Sequence, residues 1–347
     1  MNLIRKICCT TLWLLLCIGL YGCASSEPEL HIYTWINYIK PSIIEKFEKE
    51  HHCRVVVNTF DSNESMYAKL KLGATGYDII VPSNYYADLM QKQGMLHPID
   101  RERIPNAKYL DPNYTKMLDS AAAKYGIPYL VAITGIAYHK DRVNMPKPTW
   151  DIFNDKSLKG RMTMLNDPRE ALGAALKFLG YSINTTNDTE IRTAEKTLIA
   201  WKKNLAKFES EQYKDGVASG EYLAVQGFVG ELLLVAQENP AIACVLPEEG
   251  TIFSIDLLTI SKDSPNKDLA YTFINYLHQP ENVAENIIFT LFLIPNTAAY
   301  ELLPANIRDN PAIFPTDAVA GKSEIIKNLD RDTELYNRAW DRVKAAE

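Results

Sequence analysis

The chain has 347 residues, 47% of them hydrophobic and 23% charged, with a formal net charge of −6. That length accommodates about two domains of ~100–200 residues each, and the composition excludes a disordered or fibrous chain. A nucleic-acid partner would require a basic excess, which is missing, whereas a weakly acidic protein tolerates cationic ligands.

Residues 1–22 read as a processing signal. Arg5 and Lys6 give a positive start, and Ile7 to Leu20 is an apolar run of 14 residues, short for a membrane span. It ends in LYGC, Leu20 to Cys23, which resembles the bacterial lipobox, whose cysteine is lipidated and becomes the first mature residue. Removing residues 1–22 takes away two positive charges and no acids, so the charge falls from −6 to −8. Residues 23–29 form a lipidated tether. Cys8, Cys9 and Cys17 leave with the signal, so only Cys53 and Cys244 remain, without a CxxC pattern, and no disulfide framework is expected. His51, His52 and Cys53 are adjacent and cannot all face one ion within regular structure, so no metal site is expected there.

The body alternates strand and helix signals. ELHIYTW (29–35) is a strand, PSIIEKFEKEH (41–51) a helix, RVVVNTF (54–60) a strand and 65–73 a helix closed by Gly73. Residues 77–83 form a strand stopped at Pro82, and 85–94 form a helix with Gly94 just past its end. This βαβαβα order implies a mostly parallel sheet. IPYLVAITGIAYHK (127–140) is too long for one ordinary strand and could cross between two lobes. A second series follows: RMTML, helices 168–180 and 189–208, EYLAVQ, helix 228–238 and AIACVL. SIDLLTIS (254–261) is extended again, followed by helices from 265 and 280 and a C-terminal helix over 330–346. A chain that leaves one lobe and later returns has the layout of a hinged two-lobe binding protein; two consecutive domains would read similarly. In the two-lobe reading, 30–134 with 255–300 form the N-terminal lobe, and 135–254 with 301–347 the C-terminal lobe.

Open α/β sheets bind ligands beyond the C-terminal ends of their strands. Trp35, Asn37 and Tyr38 follow the first strand, and Ser83, Asn84, Tyr85 and Tyr86 the third. Asp167 and Glu170 follow the first strand of the second series, Phe228 lies beyond a later one, and Asp256 begins the returning strand. The set is aromatic and anionic, with few basic side chains apart from Arg169. Aromatic faces attract cations and cover methylenes, and carboxylates hold ammonium groups, so the set suits an elongated organic cation. Plainer readings stand beside it. NDPRE is a good capping box, with Asp167 as N-cap, Pro168 at N1 and Glu170 at N3. Trp35 and Tyr38 could be packing, Tyr85 and Tyr86 could cover a helix start, and Ser83 could be an N-cap. Asp256, in an otherwise apolar strand, most needs a partner.

YTWINYIKPSIIEKFEKE, SNESMYAKLKLGATGYDIIVPSNYYADLMQKQGML, LNDPREALGAALKFLGYSINTT and IDLLTIS together resemble the periplasmic spermidine/putrescine-binding proteins of bacterial ABC uptake systems, from about residue 30 to the C-terminus. The resemblance implies a two-lobe α/β solute-binding fold, each lobe a mostly parallel sheet flanked by helices. It implies a polyamine in the interlobe cleft, delivery to an ABC permease in the inner membrane, no catalysis and no cofactor. Carried over by position, the ligand contacts are Trp35, Asn37, Tyr38, Ser83, Tyr85, Asp167, Glu170, Phe228, Asp256 and Phe292. Asp167 and Glu170 would grip one terminal ammonium and Asp256 another amine, while Trp35, Tyr38, Phe228 and Phe292 box the methylenes. The sequence departs from the spermidine-type pattern at Asn37, where an acid is usual; Ser254, where an aromatic is usual; Phe292, which replaces a tyrosine; and Ile326, in place of a glutamine. Three carboxylates remain, which favours putrescine over spermidine. A monomer, anchored to a bacterial membrane through Cys23 and facing the periplasm, is the expected form. One rival is a hydrolase using Asp167 and Glu170 as an acid/base pair, though no G-x-S-x-G, HExxH, P-loop or dinucleotide motif is present. Another solute on the same fold, or a sensor or adhesin without a permease, are further alternatives.

Overall fold

In a computed structural model, which describes residues 27–346, the alternating run ELHIYTW forms β1 (Glu29–Trp35). The expected signal, lipobox and Cys23 lie outside the described residues. Pro41 opens α1 (Pro41–His51), whose Ile43 and Phe47, one turn apart, are fully buried. Each such burial stabilises by about 1.5–3 kcal/mol. β2 (Arg54–Phe60) pairs with β1 in parallel along its whole length, and β3 (Ile79–Ile80) lies parallel on β1's other side. α2 (Asn63–Lys71) and α3 (Asn84–Lys92) complete this unit. Gly94 turns the chain at the end of α3 with φ 67°, which lets the Met95 N–H reach the Met90 carbonyl at 3.1 Å.

β4 (Leu96–His97) adds a short pairing, and short helical turns fill 101–125. β5 (Gly126–His139) then runs 14 residues, nearly all buried. At ~3.3 Å per residue it spans roughly 46 Å, enough to serve two cores. β6 (Met162–Met164), α4 (Pro168–Phe178), α5 (Asp188–Lys202), β7 (Lys207–Phe208), α6 (Tyr213–Ser219), β8 (Ala224–Phe228), α7 (Val229–Glu238) and β9 (Ile242–Val245) follow. β10 (Ile252–Ser261) returns antiparallel to β5, and α8 (Lys267–Leu277), α9 (Pro280–Thr290), β11 (Glu324–Ile325) and α10 (Thr333–Ala345) end the chain. The strand order is β2-β1-β3-β10-β5-β8-β6-β7, with β4 and β11 on β10 and β9 on β5. The outer trios β2-β1-β3 and β8-β6-β7 are parallel, whereas β10 and β5 lie antiparallel to each other, to β3 and to β8, and β10 takes β11 in parallel. As central strands buried on both faces, β5 and β10 read as unbroken apolar runs.

Two large cores flank this centre. The first holds Leu30, Ile32, Phe47, Phe273 and, on β5, residues up to Ile133; the second holds Trp150, Trp201, Leu198, Tyr336 and, on β5, Ile136. The handover recurs between Phe253 and Ile252 on β10 and between Ile325 and Ile326. Leu303, Ile307, Ala312, Ile313 and Ile325 bury in the first core, whereas the sequence reading put 301–347 with the second. The helix expected over 189–208 stops at Lys202, because Asn204 turns inward and donates to the Phe153 carbonyl at 3.2 Å. The Ala206 N–H then reaches the Met162 carbonyl at 2.8 Å and starts β7. Cys53 and Cys244 are free thiols, and no group of metal-ligating residues occurs among the described residues. No helix among the described residues is long and apolar enough to cross a membrane.

Candidate functional site

The expected site residues gather around two acidic centres. The first is Asp256, on β10 where the β5 pairing shifts register. It is fully buried, and its carboxylate accepts from the Tyr38 hydroxyl at 2.7 Å and the Ser83 hydroxyl at 2.6 Å. Burial pushes the Asp256 carboxyl up to about 6, against the two hydroxyls that favour its charged form. Ser83 stands at the N-cap position of α3 but caps nothing; its hydroxyl serves Asp256 instead. Behind it, Asn63 donates to Ser83 Oγ at 3.0 Å and to Tyr85 Oη at 3.2 Å, while its own Oδ1 accepts the Ser83 N–H at 3.1 Å.

The second centre is the pair Asp167 and Glu170 at the start of α4. Asp167 Oδ1 accepts the backbone N–H groups of Arg169 at 2.7 Å and Glu170 at 3.0 Å, so the capping expectation holds. Its Oδ2 has no hydrogen-bond partner among the described residues. Glu170 is buried; its Oε2 accepts from the Thr134 hydroxyl at 2.6 Å, where β5 passes from one core to the other. Burial, then the Asp167 charge, pushes Glu170 up to about 8. Burial also raises Asp167, while the two backbone N–H groups pull it down. Gln226 on β8, wholly buried, donates to the Glu170 carbonyl at 3.0 Å and accepts the Leu165 N–H at 3.2 Å, which fixes this helix start on the sheet.

Tyr85 connects the centres. Its phenol accepts from Asn63 on the Asp256 side, its ring packs against the second core, and burial followed by the Asp167, Glu64, Tyr86 and Glu170 charges holds it well above the usual range. The aromatic wall is continuous: Trp35 lies 6.0 Å from Tyr38 between ring centroids, and Tyr38 lies 6.1 Å from Phe292. The Trp35 indole N–H is tied to the Val81 carbonyl at 2.9 Å. Phe292 follows Leu291, whose left-handed φ of 56° ends α9, and its ring lies against Gly230 so closely that a Cβ there would meet it at 2.3 Å. Phe228 is half-buried at the end of β8 and packs toward the first core.

Four residues behave differently from the sequence picture. Asn37 is exposed, in left-handed conformation with φ 59°, and makes no hydrogen bond among the described residues. Arg169 turns away from the acids: its guanidinium donates to the carbonyls of Lys327 and Ile183 and to Asn184 Oδ1, and lies 4.7 Å from the centre of the Tyr336 ring. Ile326 packs in the second core, and its carbonyl accepts from Asn84 at 2.7 Å. Ser254 is buried in β10. Sequence reasoning passed over Asn63, Thr134 and Glu231. Glu231 accepts from Lys214 at 2.9 Å and from the Tyr213 hydroxyl, and its charge helps raise the Tyr38 phenol after burial and Asp256. Thr134, a polar residue inside an apolar crossing run, carried the same signal that singled out Asp256.

No Lys, Arg or His side chain among the described residues forms an ion pair with Asp167, Glu170 or Asp256 within 4.0 Å, although the Arg169 charge acts on the first two from further off. Three buried or half-buried carboxylates without an ion-paired side-chain cation among the described residues, with ring faces nearby, have the chemistry that suits a positively charged, largely apolar ligand.

Comparisons with known proteins give the family. Residues 42–316 match the family described as bacterial extracellular solute-binding protein. The putrescine-binding periplasmic protein PotF of Escherichia coli is 32% identical, covering 95% of each chain. The spermidine/putrescine-binding periplasmic protein of the same organism is 33% identical over 93% of each. Among solved structures, the TpPotD lipoprotein of Treponema pallidum superposes with a TM-score of 0.83 at 31% identity, covering 91% of this chain and 99% of that one. The PotD substrate-binding protein of a spermidine/putrescine ABC transporter from Streptococcus pneumoniae gives 0.84 at 29%, covering 92% and 99%. The chain belongs to the bacterial extracellular solute-binding protein family.

Proposed function

We propose that this protein captures a polyamine between its two lobes, outside the cytoplasm, and delivers it to an ABC permease. The observation that carries the reading is the set of carboxylates on both sides of the β5 handover, Asp256 on one and Asp167 with Glu170 on the other, with which no side-chain cation among the described residues forms an ion pair. Asp167 and Glu170 hold one terminal ammonium and Asp256 the other, with Tyr38 and Ser83 orienting Asp256. Trp35, Tyr38, Tyr85, Phe228 and Phe292 enclose the methylenes. Relatives named for putrescine and spermidine binding support the substrate class. The lobes comprise about 30–134 with 253–325 and 135–252 with 326–346, moving the last boundary from 300 to where Ile325 and Ile326 change cores.

Putrescine is the favoured ligand. Asn37 brings no charge, Ile326 and Ser254 bring no acid or aromatic face, and the Glu231 carboxylate is already met by Lys214 and Tyr213. Apart from Glu64, which accepts from the Tyr86 hydroxyl on the exposed side of α2, these positions offer a third ammonium no carboxylate of its own. The chain works as a monomer in the periplasm, its signal removed and Cys23 carrying the lipid that holds it to the membrane. Calorimetric titration of residues 24–347, unfolded and refolded to strip carried ligand, tests the capture reading. One-to-one binding with putrescine tighter than spermidine is expected. Binding of neither overturns polyamine capture, and spermidine tenfold tighter overturns the preference. Palmitate labelling that is lost in Cys23→Ser tests the anchor.

A further inference from the structure

We infer that Asn63 is the positioning residue of the first-lobe half of the cleft, setting the hydroxyls of Ser83 and Tyr85 toward the ligand amine; this rests on the polyamine reading above. Asn63 lies at the first turn of α2, is 4% exposed, and touches neither acidic centre itself. Its amide is fully used: the two N–H groups go to Ser83 Oγ and Tyr85 Oη, and Oδ1 takes the Ser83 N–H. Turning the amide over would set its oxygen against two hydroxyl oxygens and its NH₂ against an N–H, so only one orientation satisfies the site. That orientation dictates the hydroxyls. With Asn63 donating to Ser83 Oγ, the Ser83 proton points at Asp256 Oδ1, 2.6 Å away. With Asn63 donating to Tyr85 Oη, the Tyr85 proton is directed away from that amide; among the described residues it meets no acceptor, and the charge that acts most on this phenol is that of Asp167, ahead of Glu64, Tyr86 and Glu170. One amide therefore orients a group at each acidic centre.

Asp256 is faced by Tyr38 from the β1–α1 turn and by Ser83 from the start of α3, with Glu231 of α7 near Tyr38. Weakening the Ser83 bond removes one of the two contacts that favour its charged form, so its titration reads out Asn63 without any ligand. The experiment has two arms. In the first, the Asp256 carboxyl carbon is titrated by NMR in ligand-free protein, assigned by its loss in Asp256→Asn. Asn63→Ala is expected to move the midpoint upward from about 6, and an unmoved midpoint overturns the inference. In the second, putrescine affinity is measured by calorimetry in a double-mutant cycle. Asn63→Ala should cost about tenfold in the native background and less than about twofold when Ser83→Ala and Tyr85→Phe are already present. An equal loss in both backgrounds overturns the inference, because Asn63 then acts on the ligand or the fold directly. If Asn63→Ala does not fold, Asn63→Asp takes its place in the second arm, where it keeps the acceptor for the Ser83 N–H, removes the donors and carries the same added charge in both backgrounds; in the first arm the neutral Asn63→Ser takes its place, so that no new charge moves the Asp256 midpoint. If the native protein binds no polyamine, the capture reading falls, and the carboxyl titration alone decides the role of Asn63.

Discussion

Glu170→Gln separates charge from shape at the acidic pair. Glu170 is buried beside Asp167 and titrates near 8, so at pH 7 about nine in ten ligand-free molecules carry it protonated. An aliphatic ammonium keeps its proton to about pH 10, and it is held by the ionised acid. Binding therefore expels close to one proton from Glu170 at pH 7. Asp256, near 6, adds a smaller share as the pH falls. Together they predict that putrescine affinity rises roughly a hundredfold from pH 6 to pH 8. In the ligand-free fold the same raised carboxyl acts in the other direction. The unfolded chain releases this proton from about pH 4.5, the fold only near 8, so its contribution to stability is present below 4.5 and declines as pH rises toward 8. Glu170→Gln keeps the acceptor for the Thr134 hydroxyl and removes the titration. The variant should bind putrescine at least ~30-fold more weakly at pH 8, lose most of the pH slope, and melt no lower than the native protein at pH 8. Calorimetry in phosphate and in Tris at pH 7 counts the protons directly from the buffer dependence of the enthalpy. A native protein with buffer-independent enthalpy and flat affinity between pH 6 and 8 would refute the reasoning.

Three further substitutions test neighbouring steps. Asp167→Asn retains a good N-cap oxygen, so the melting temperature should stay within about 2 °C, while putrescine affinity falls at least tenfold; a lower melting temperature with unchanged affinity would leave Asp167 a cap only. Asp256→Ala removes the acceptor of Tyr38 and Ser83 and should cost ~2–5 kcal/mol of binding, read by calorimetry, with near-native affinity excluding it from the site. Arg169→Ala should cost ~2–4 kcal/mol of stability in denaturant unfolding, because its buried guanidinium holds two carbonyls and Asn184. Its guanidinium makes no ion pair with the acids, but its charge favours the ionised form of both Asp167 and Glu170, so its loss should raise Glu170 further and leave putrescine affinity at pH 7 no higher than native; a gain beyond about threefold would contradict that.

Much of the architecture was legible because it rests on period and length. β1, β2 and α1 begin and end where alternation, β-branching and Pro41 put them, and β5 announced itself as too long for one core. The helix expected to 208 overran because KNLAKF keeps helical composition, while the buried Asn204 amide settles the break through a contact 51 residues away. Asp256 was legible as a charge in an apolar strand, and Asp167 with Glu170 as a spaced pair. Asn63 was not: its partners Ser83 and Tyr85 stand 20 and 22 residues off, and no local pattern tells a helix-start asparagine that caps from one that orients a site. Arg169 misled for a simpler reason. It sits between two cleft residues in sequence, but successive helical positions are about 100° apart, so Glu170 and Arg169 face different sides of α4.

The cap read in NDPRE is present in the fold, and its geometry is compatible with the proposed grip on an ammonium. Asp167 spends a single oxygen, Oδ1, on both backbone N–H groups and keeps Oδ2 for the cleft. Those two N–H bonds favour its charged form, whereas Glu170 has one hydroxyl and deeper burial. The helix start thus pulls against burial at Asp167 more than at Glu170. Two neighbouring acids without this asymmetry would share the proton and present a diffuse charge. With it, the proposed grip has two unequal acids, Asp167 drawn toward its charged form by the helix N–H groups and Glu170 pushed up to about 8, the one an arriving ammonium would ionise.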